Sequence, residues 1–385
     1  MVRYKDFEFS LRELAGSMGD FGTLFPLAIG YIVVCGMNPA GLLVMMGVIN
    51  IATGIIYRQP MPVEPMKAMA VAAIAQQWPP SMIYATGFGT GVAWIFLAFS
   101  GLVQKIAAIT PKSVVRGIQT ALGIMLGFEG LKLIYNLGIP EVIFGIPLPA
   151  WIFGIISIFI ILLLRENKYA PATIVLMVMG IAVVGLKGEL GSSVKFGFSL
   201  PPFTTFSLRE IWEGFVRAGF AQIALTASNA VIATAAVIRK FWPEKAVSEK
   251  KLALNMGIMN CILPFFGGMP MCHGSGGYVG QYYFGARTGG ANLMEGTLEL
   301  CLGLFLSRSI AALFTVFPRA IIGAMMLMVG VEFVKFVRDL KRCEIPIMVV
   351  TAGVSVGTNM ALGFITGMVI YHVLRRFAKT NKYCA

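Results

Sequence analysis

Residues 59–67 read QPMPVEPMK and residues 267–277 read GGMPMCHGSGG. Both interrupt otherwise oily sequence, and their Met-Pro pairs, Met61-Pro62 and Met269-Pro270, stand about 208 residues apart. Proline removes a helix donor and pushes the residue before it towards extended backbone, so each stretch predicts a broken helix. A small-residue segment able to begin a helix follows each break, at 68–76 and 274–284. Paired interruptions at corresponding points of two halves are the sequence pointer to a secondary transporter whose site lies near the bilayer midplane.

The surrounding composition agrees. The chain has 385 residues, of which 57% are hydrophobic and only 13% charged, with a mean hydropathy of +0.80. A soluble globule carries roughly 25% charged residues, so this is a polytopic all-α membrane protein. Apolar runs long enough to cross the hydrocarbon recur from end to end. The start, MVRYKDFEFSLREL, alternates charge with hydrophobicity and lacks the layout of a removable signal peptide. The net charge of +13 is spread over short loops rather than gathered into a patch with interleaved aromatics, which argues against a nucleic-acid partner.

Seven spans are expected near 11–35, 38–57, 61–77 (interrupted), 81–103, 111–134, 149–164 and 171–187. Seven more are expected near 210–238, 249–266, 270–286 (interrupted), 289–306, 310–335, 344–359 and 361–377. The halves are then 1–187 and 209–385, joined by a Gly-, Ser- and Pro-rich linker at 188–208. An internal match supports duplication: Gly127-Phe128-Glu129-Gly130-Leu131-Lys132 resembles Gly330-Val331-Glu332-Phe333-Val334-Lys335. A half with an odd number of spans ends on the opposite side from its start, so the expected fold is a 7+7 inverted repeat of about 14 segments, the third and tenth being half-helices. Basic residues crowd the loops on one side, among them Arg58, Lys105, Lys112, Arg116, Arg165, Lys168, Arg239, Lys240, Lys250, Arg338 and Lys341, with Lys379 and Lys382 in the tail. The positive-inside rule then puts both termini in the cytoplasm.

The two half-helix starts form the candidate site, for an anion. Each start offers unpaired amides and roughly half a positive charge, so two meeting head-on approach one full charge without a buried lysine. On this reading the candidate substrate residues are Glu64, Pro65, Met66 and Lys67 in the first half, and Cys272, His273, Gly274, Ser275 and Gly276 in the second. Gln222, Thr226, Ser228 and Asn229 add side-chain donors from the eighth span, where Gln222, Thr226 and Asn229 share a helical face; bonding between helices is the plainer role for any one of them. Asp20 and Glu64 are buried acids, and a buried carboxylate favours its protonated form, which makes both proton-coupling candidates; a capping role is equally open to each. Glu129 with Lys132 and Glu332 with Lys335 suit i,i+3 pairs or gate contacts. Arg287 and Lys67 either add charge to the cavity or reach for an interface. The six cysteines show no metal-ligand spacing, and Cys272-His273 alone is too thin for a metal site or a catalytic pair, so neither a cofactor nor an enzyme is expected.

At these residues the chain resembles the molybdate transporters related to sulfate permeases. The matching stretches are Gly19-Asp20-Phe21-Gly22-Thr23, PMPVEPMK at 60–67 and MPMCHGSGGYVGQYYFGARTG at 269–289. The resemblance covers almost the whole chain in order and layout. It implies a mobile core domain of segments 1–4 and 8–11, a gate domain of segments 5–7 and 12–14, and uptake of a tetrahedral oxyanion held between segments 3 and 10. Molybdate is the expected substrate, with tungstate or sulfate as competitors, in the cell membrane; a homodimer is compatible with it. A sulfate or other anion transporter of the same fold, or an anion channel, is the alternative. Since the chain ends soon after its last span, the C-terminal cytoplasmic domain of the wider sulfate permease group is expected to be absent. One residue departs from the pattern: the first proline motif usually has glutamine where this chain has Glu64, and an ionised carboxylate there would repel a dianion.

Overall fold

The computed structural model describes residues 2–4, 6–135, 141–143, 146–164 and 172–378. The basic positions Arg165, Lys168, Lys379 and Lys382 lie outside the described residues. Among the described residues the molecule is a bundle of helices with three two-stranded ladders. Six helices among the described residues are long and apolar enough to cross a membrane.

The first half begins with a hairpin of β1 (Val2–Tyr4) and β2 (Phe7–Phe9). The charge alternation of the N-terminus is therefore a strand period, and sequence reading treated it only as evidence against a signal peptide. Helix α1 (Leu11–Ser17) follows, then a single tight turn at Met18–Asp20 and helix α2 (Phe21–Val33). One continuous span was expected here; the structure breaks it beside Asp20. After α3 (Pro39–Tyr57) come strand β3 (Glu64–Pro65), α4 (Lys67–Ala75), α5 (Pro80–Ser100) and α6 (Lys112–Tyr135). The hairpin of β4 (Glu141–Ile143) and β5 (Ile146–Leu148) leads into α7 (Ala150–Leu163) and α8 (Ala172–Leu186).

The second half opens on α9 (Leu208–Phe241), wound as a π-helix over Phe215–Gly219 and again over Ala227–Ala233. Such wide turns inside helices gather at functional sites. Then come α10 (Glu249–Ile262), strand β6 (Met271–Cys272), α11 (Ser275–Phe284), α12 (Gly290–Val316), α13 (Arg319–Lys335), α14 (Ile345–Gly357) and α15 (Met360–Ala378). The expected break at 307–309 is absent. Ser307, Arg308 and Ser309 sit inside α12, and the chain turns at Phe317-Pro318 instead, where proline ends the helix.

Packing follows small residues. Helix α3 lies along α12, α5 along α10 and α6 along α13. At the first of these crossings a Cβ on Gly47 would stand 2.5 Å from the Gly296 carbonyl oxygen, so only glycine lets the two backbones approach this closely. The outward faces carry exposed Phe96, Phe99, Phe159 and Leu163, as expected of helices whose solvent is lipid. Lys132 pairs with Glu129 at 3.1 Å and Lys335 with Glu332 at 2.6 Å, so the repeated motif forms the i,i+3 ion pair in both halves.

Candidate functional site

The residues before Pro60, Pro62 and Pro65 are driven extended, as is Met269 before Pro270, and the two extended stretches meet in the bundle interior. Strand β3 pairs antiparallel with β6, Glu64 opposite Cys272 and Pro65 opposite Met271. The Met66 amide adds a bond of 2.9 Å to the Pro270 carbonyl. Because the pair is antiparallel, α4 and α11, which begin within three residues of their strands, leave it in opposite directions.

Each extended stretch is pinned by one buried asparagine. Asn292 of α12 accepts from the Met61 amide at 2.8 Å and donates to the Met61 carbonyl at 2.6 Å. Asn260 of α10 accepts from the Met271 amide at 2.9 Å and donates to its carbonyl at 2.7 Å. An extended segment in a helical bundle has backbone groups with no helical partner, and these two amides satisfy them. Sequence reasoning missed both residues. The available signal was a lone asparagine inside an apolar span, which lipid cannot satisfy and which therefore faces inward.

The two helix starts differ, and this corrects the expectation of two equivalent open ends. At α4, Gln222 Oε1 of α9 accepts from the Ala68 amide at 2.7 Å and the Met69 amide at 3.4 Å. Gln222 Nε2 donates in turn to Thr226 Oγ1 at 2.6 Å. A neutral side chain thus occupies the α4 start. At α11 no side chain caps the first turn, and the first helical bond is from the Tyr278 amide to the Gly274 carbonyl. The amides of Ser275, Gly276 and Gly277 point out of the helix end with its partial positive charge.

Glu64 lies across that end. A Cβ on Gly277 would fall 2.1 Å from Glu64 Oε1, and one on Gly274 would fall 2.6 Å from Glu64 Oε2, so these glycines leave the room the carboxylate occupies. Glu64 is 1% exposed, and its Oε2 stands 2.9 Å from Lys67 Nζ. The structure thus shows Glu64 as the ion-pair partner of Lys67. Ser275 Oγ donates to Asn229 Oδ1 at 2.7 Å, tying α11 to the π-turn of α9. Lys67, Ser228, Asn229, Ser275 and Gly276 are the candidates with accessible surface, whereas Pro65, Met66, Gln222, Thr226, Cys272, His273 and Gly274 are buried behind them. A Cβ on Gly276 would meet open space, so the opening begins there.

His273 bonds the Pro62 carbonyl through Nδ1 at 2.9 Å, and since a carbonyl only accepts, Nδ1 holds the proton. Its role is to fix the strands to each other. Among the described residues no group of three or more His, Cys, Asp or Glu is arranged to hold a metal ion. Arg287 lies away from the opening: its guanidinium stacks 3.8 Å from the Tyr282 ring centroid and bonds the Tyr282 and Ala286 carbonyls.

Residues 12–126 and 214–333 match the profile of a family described as molybdate transporter of MFS superfamily. That match takes in both strands, both helix starts and the eighth-span residues. The chain belongs to this molybdate transporter family. Molybdate transporter 1 of Arabidopsis thaliana is 30% identical over 405 residues, covering 96% of this chain and 89% of the relative. Molybdate transporter 2 of the same plant is also 30% identical, covering 94% and 87%. Among solved structures, the transmembrane domain of a cyanobacterial bicarbonate transporter, BicA, aligns with a TM-score of 0.67 at 17% identity, covering 93% of this chain and 97% of that one. Murine Slc26a9, an anion transporter in an inward-facing state, aligns at 0.71 and 17% identity, covering 98% and 69%. The family member described here thus has the fold of sulfate permease-like transporters, and its relatives are transporters rather than enzymes.

Proposed function

We propose that the chain is a secondary active transporter that imports molybdate across the cell membrane, accepts tungstate almost equally, and discriminates against the smaller sulfate by cavity size. The observation that carries this reading is the antiparallel β3–β6 pair. It brings an uncapped helix start, the Lys67 ammonium and the Asn229–Ser275 pair to one opening. A tetrahedral oxyanion leaving water needs such donors, because its lost hydration is otherwise uncompensated. Membership of the molybdate transporter family supports the choice of anion.

The mechanism we infer is alternating access. A core of α1–α5 and α9–α12 carries the site and moves against a gate of α6–α8 and α13–α15. The packing supports the underlying inverted repeat of 7+7 segments: exchanging the halves turns the α3–α12 contact into the α10–α5 contact, and both exist. Segments three and ten are then the half-helices α4 and α11 with their strands, and the loop charges favour cytoplasmic termini.

Uptake of labelled molybdate into proteoliposomes tests the reading. Saturable accumulation, competed by tungstate at similar concentration and by sulfate only at higher concentration, is expected. Conductance without accumulation would instead mark a channel, and competition by sulfate alone would assign a different anion.

A further inference from the structure

Behind the anion opening, three carboxyl groups lie in the packed interior where α12 meets α3 and α1. Glu295 and Glu299 stand one turn apart on α12 and are 3% and 5% exposed; Asp20, also 5% exposed, approaches from the turn between α1 and α2. Among the described residues no lysine or arginine forms an ion pair with any of them. Helix α12 packs against α1, which leads directly into the turn that carries Asp20. Hydrogen bonding is incomplete. Glu299 accepts from Asn50 Nδ2 at 2.8 Å, the Ser17 hydroxyl donates to the Leu14 carbonyl instead, and Asp20 Oδ1 and Glu295 Oε2 are buried with no hydrogen-bond partner.

Three uncompensated negative charges in a dry interior cost far more than packing can offset. Among the described residues no group of three or more His, Cys, Asp or Glu is arranged here to hold a metal ion. A proton needs only a carboxyl oxygen without a partner. The remaining surroundings do not supply the missing charge. Of the elements packed against α12, β2 brings Glu8, α1 brings Arg12 and Glu13, α2 brings Tyr31 and α3 brings Tyr57. Glu13 is itself engaged, accepting from the Arg287 and Thr288 amides. Helix α8 and the short helix Leu190–Ser193 bring no titratable group, and α11, packed against Asp20, brings only tyrosines.

The cluster is wired to the site. Asn50 donates to Glu299 and accepts, through Oδ1, from Asn292 Nδ2 at 2.9 Å. Asn292 is the residue that grips both backbone groups of Met61, three residues before Glu64. A carboxylate at Glu299 must accept from Asn50, whereas a protonated carboxyl can also donate, so a proton there can reset the amide chain that holds the first strand.

We propose that Glu295 and Glu299, with Asp20, bind the proton that drives transport, and that Asn50 and Asn292 pass its arrival to the strand carrying Glu64. This rests on the transporter reading above. The proton adds to a carboxylate oxygen from water on one side and leaves to water on the other. No other bond changes, and Glu64, already paired with Lys67, is not the carrier.

The test uses the full chain in proteoliposomes. With one unit of pH difference, acid outside, wild type should accumulate molybdate about tenfold above the no-gradient level for each coupled proton. Glu295→Gln and Glu299→Gln should retain molybdate binding and molybdate–molybdate exchange but lose the gradient response. Variants that bind, exchange and still respond to the gradient overturn the inference, as does a wild type that transports without regard to pH, which leaves the transporter reading standing. A wild type that transports no molybdate removes that reading and this inference together. Dicyclohexylcarbodiimide, which modifies protonated carboxyls in apolar surroundings, gives a readout on wild type that does not depend on variants folding. Adducts mapped by mass spectrometry to Asp20, Glu295 or Glu299 are expected, and labelling confined to other carboxyls contradicts the assignment.

Discussion

Glu64 is the residue at which the chemistry of the site turns. Its carboxylate spans the Lys67 ammonium and the open start of α11, which are the two groups an incoming anion would seek. On the proposed reading it is an internal competitor. At an effective dielectric near 20, unit charges about 4 Å apart interact by about 4 kcal/mol, so a dianion cannot share the opening with an unmoved Glu64. Glu64→Gln should therefore tighten molybdate binding by about tenfold or more, a gain of at least about 1.4 kcal/mol, measured by calorimetric titration. Weaker binding by the variant would mean that the carboxylate helps hold the ligand. The departure at Glu64 was legible in the sequence because it contrasts with the family's glutamine, but its partner was not. Lys67 was left between the cavity and an interface, and only the course of β3 into α4 places its ammonium beside Glu64. Glu295 and Glu299 were passed over for a physical reason: a glutamate in a span reads the same whether it faces a partner helix or an aqueous opening.

At the scale of the element, the breaks at the proline stretches were legible because proline acts on its own backbone and on the residue before it. Helix edges governed by distant packing were not. The polar triplet Ser307-Arg308-Ser309 looked like a loop, yet α12 runs through it, and Ser309 Oγ bonds both the amide and the carbonyl of the distant Lys195. The asymmetry of the two helix starts was equally hidden, since Gln222 caps α4 from more than a hundred residues away. The α3–α12 contact depends on close backbone approach. Added side chains at Gly47 would meet the Gly296 carbonyl oxygen at 2.5 Å and the Leu300 amide nitrogen at 2.8 Å, neither of which can turn aside. Gly47→Val should cost about 1–3 kcal/mol or more and lower the thermal unfolding midpoint in detergent. An unchanged midpoint would show that the helices separate without penalty, and the amide chain through Asn50 and Asn292 would then lack its rigid frame.

For the whole molecule, composition was enough to read a helical membrane protein, and the resemblance at three stretches, 19–23, 60–67 and 269–289, implied its family. What they could not show is how the two halves lock together. That depends on the crossed β3–β6 pair, a contact between residues some 200 positions apart that has no local signature beyond two proline clusters. Both extended stretches are held by asparagines from helices α10 and α12, which themselves pack on helices of the first half. On the proposed reading an oxyanion is seated where the α11 start opens beside Lys67. Anomalous diffraction at the molybdenum edge from crystals grown with molybdate measures this directly. One dominant peak bounded by Lys67, Asn229, Ser275 and Gly276 is expected; a well-occupied peak elsewhere in the bundle, with none at this opening, would overturn the assignment.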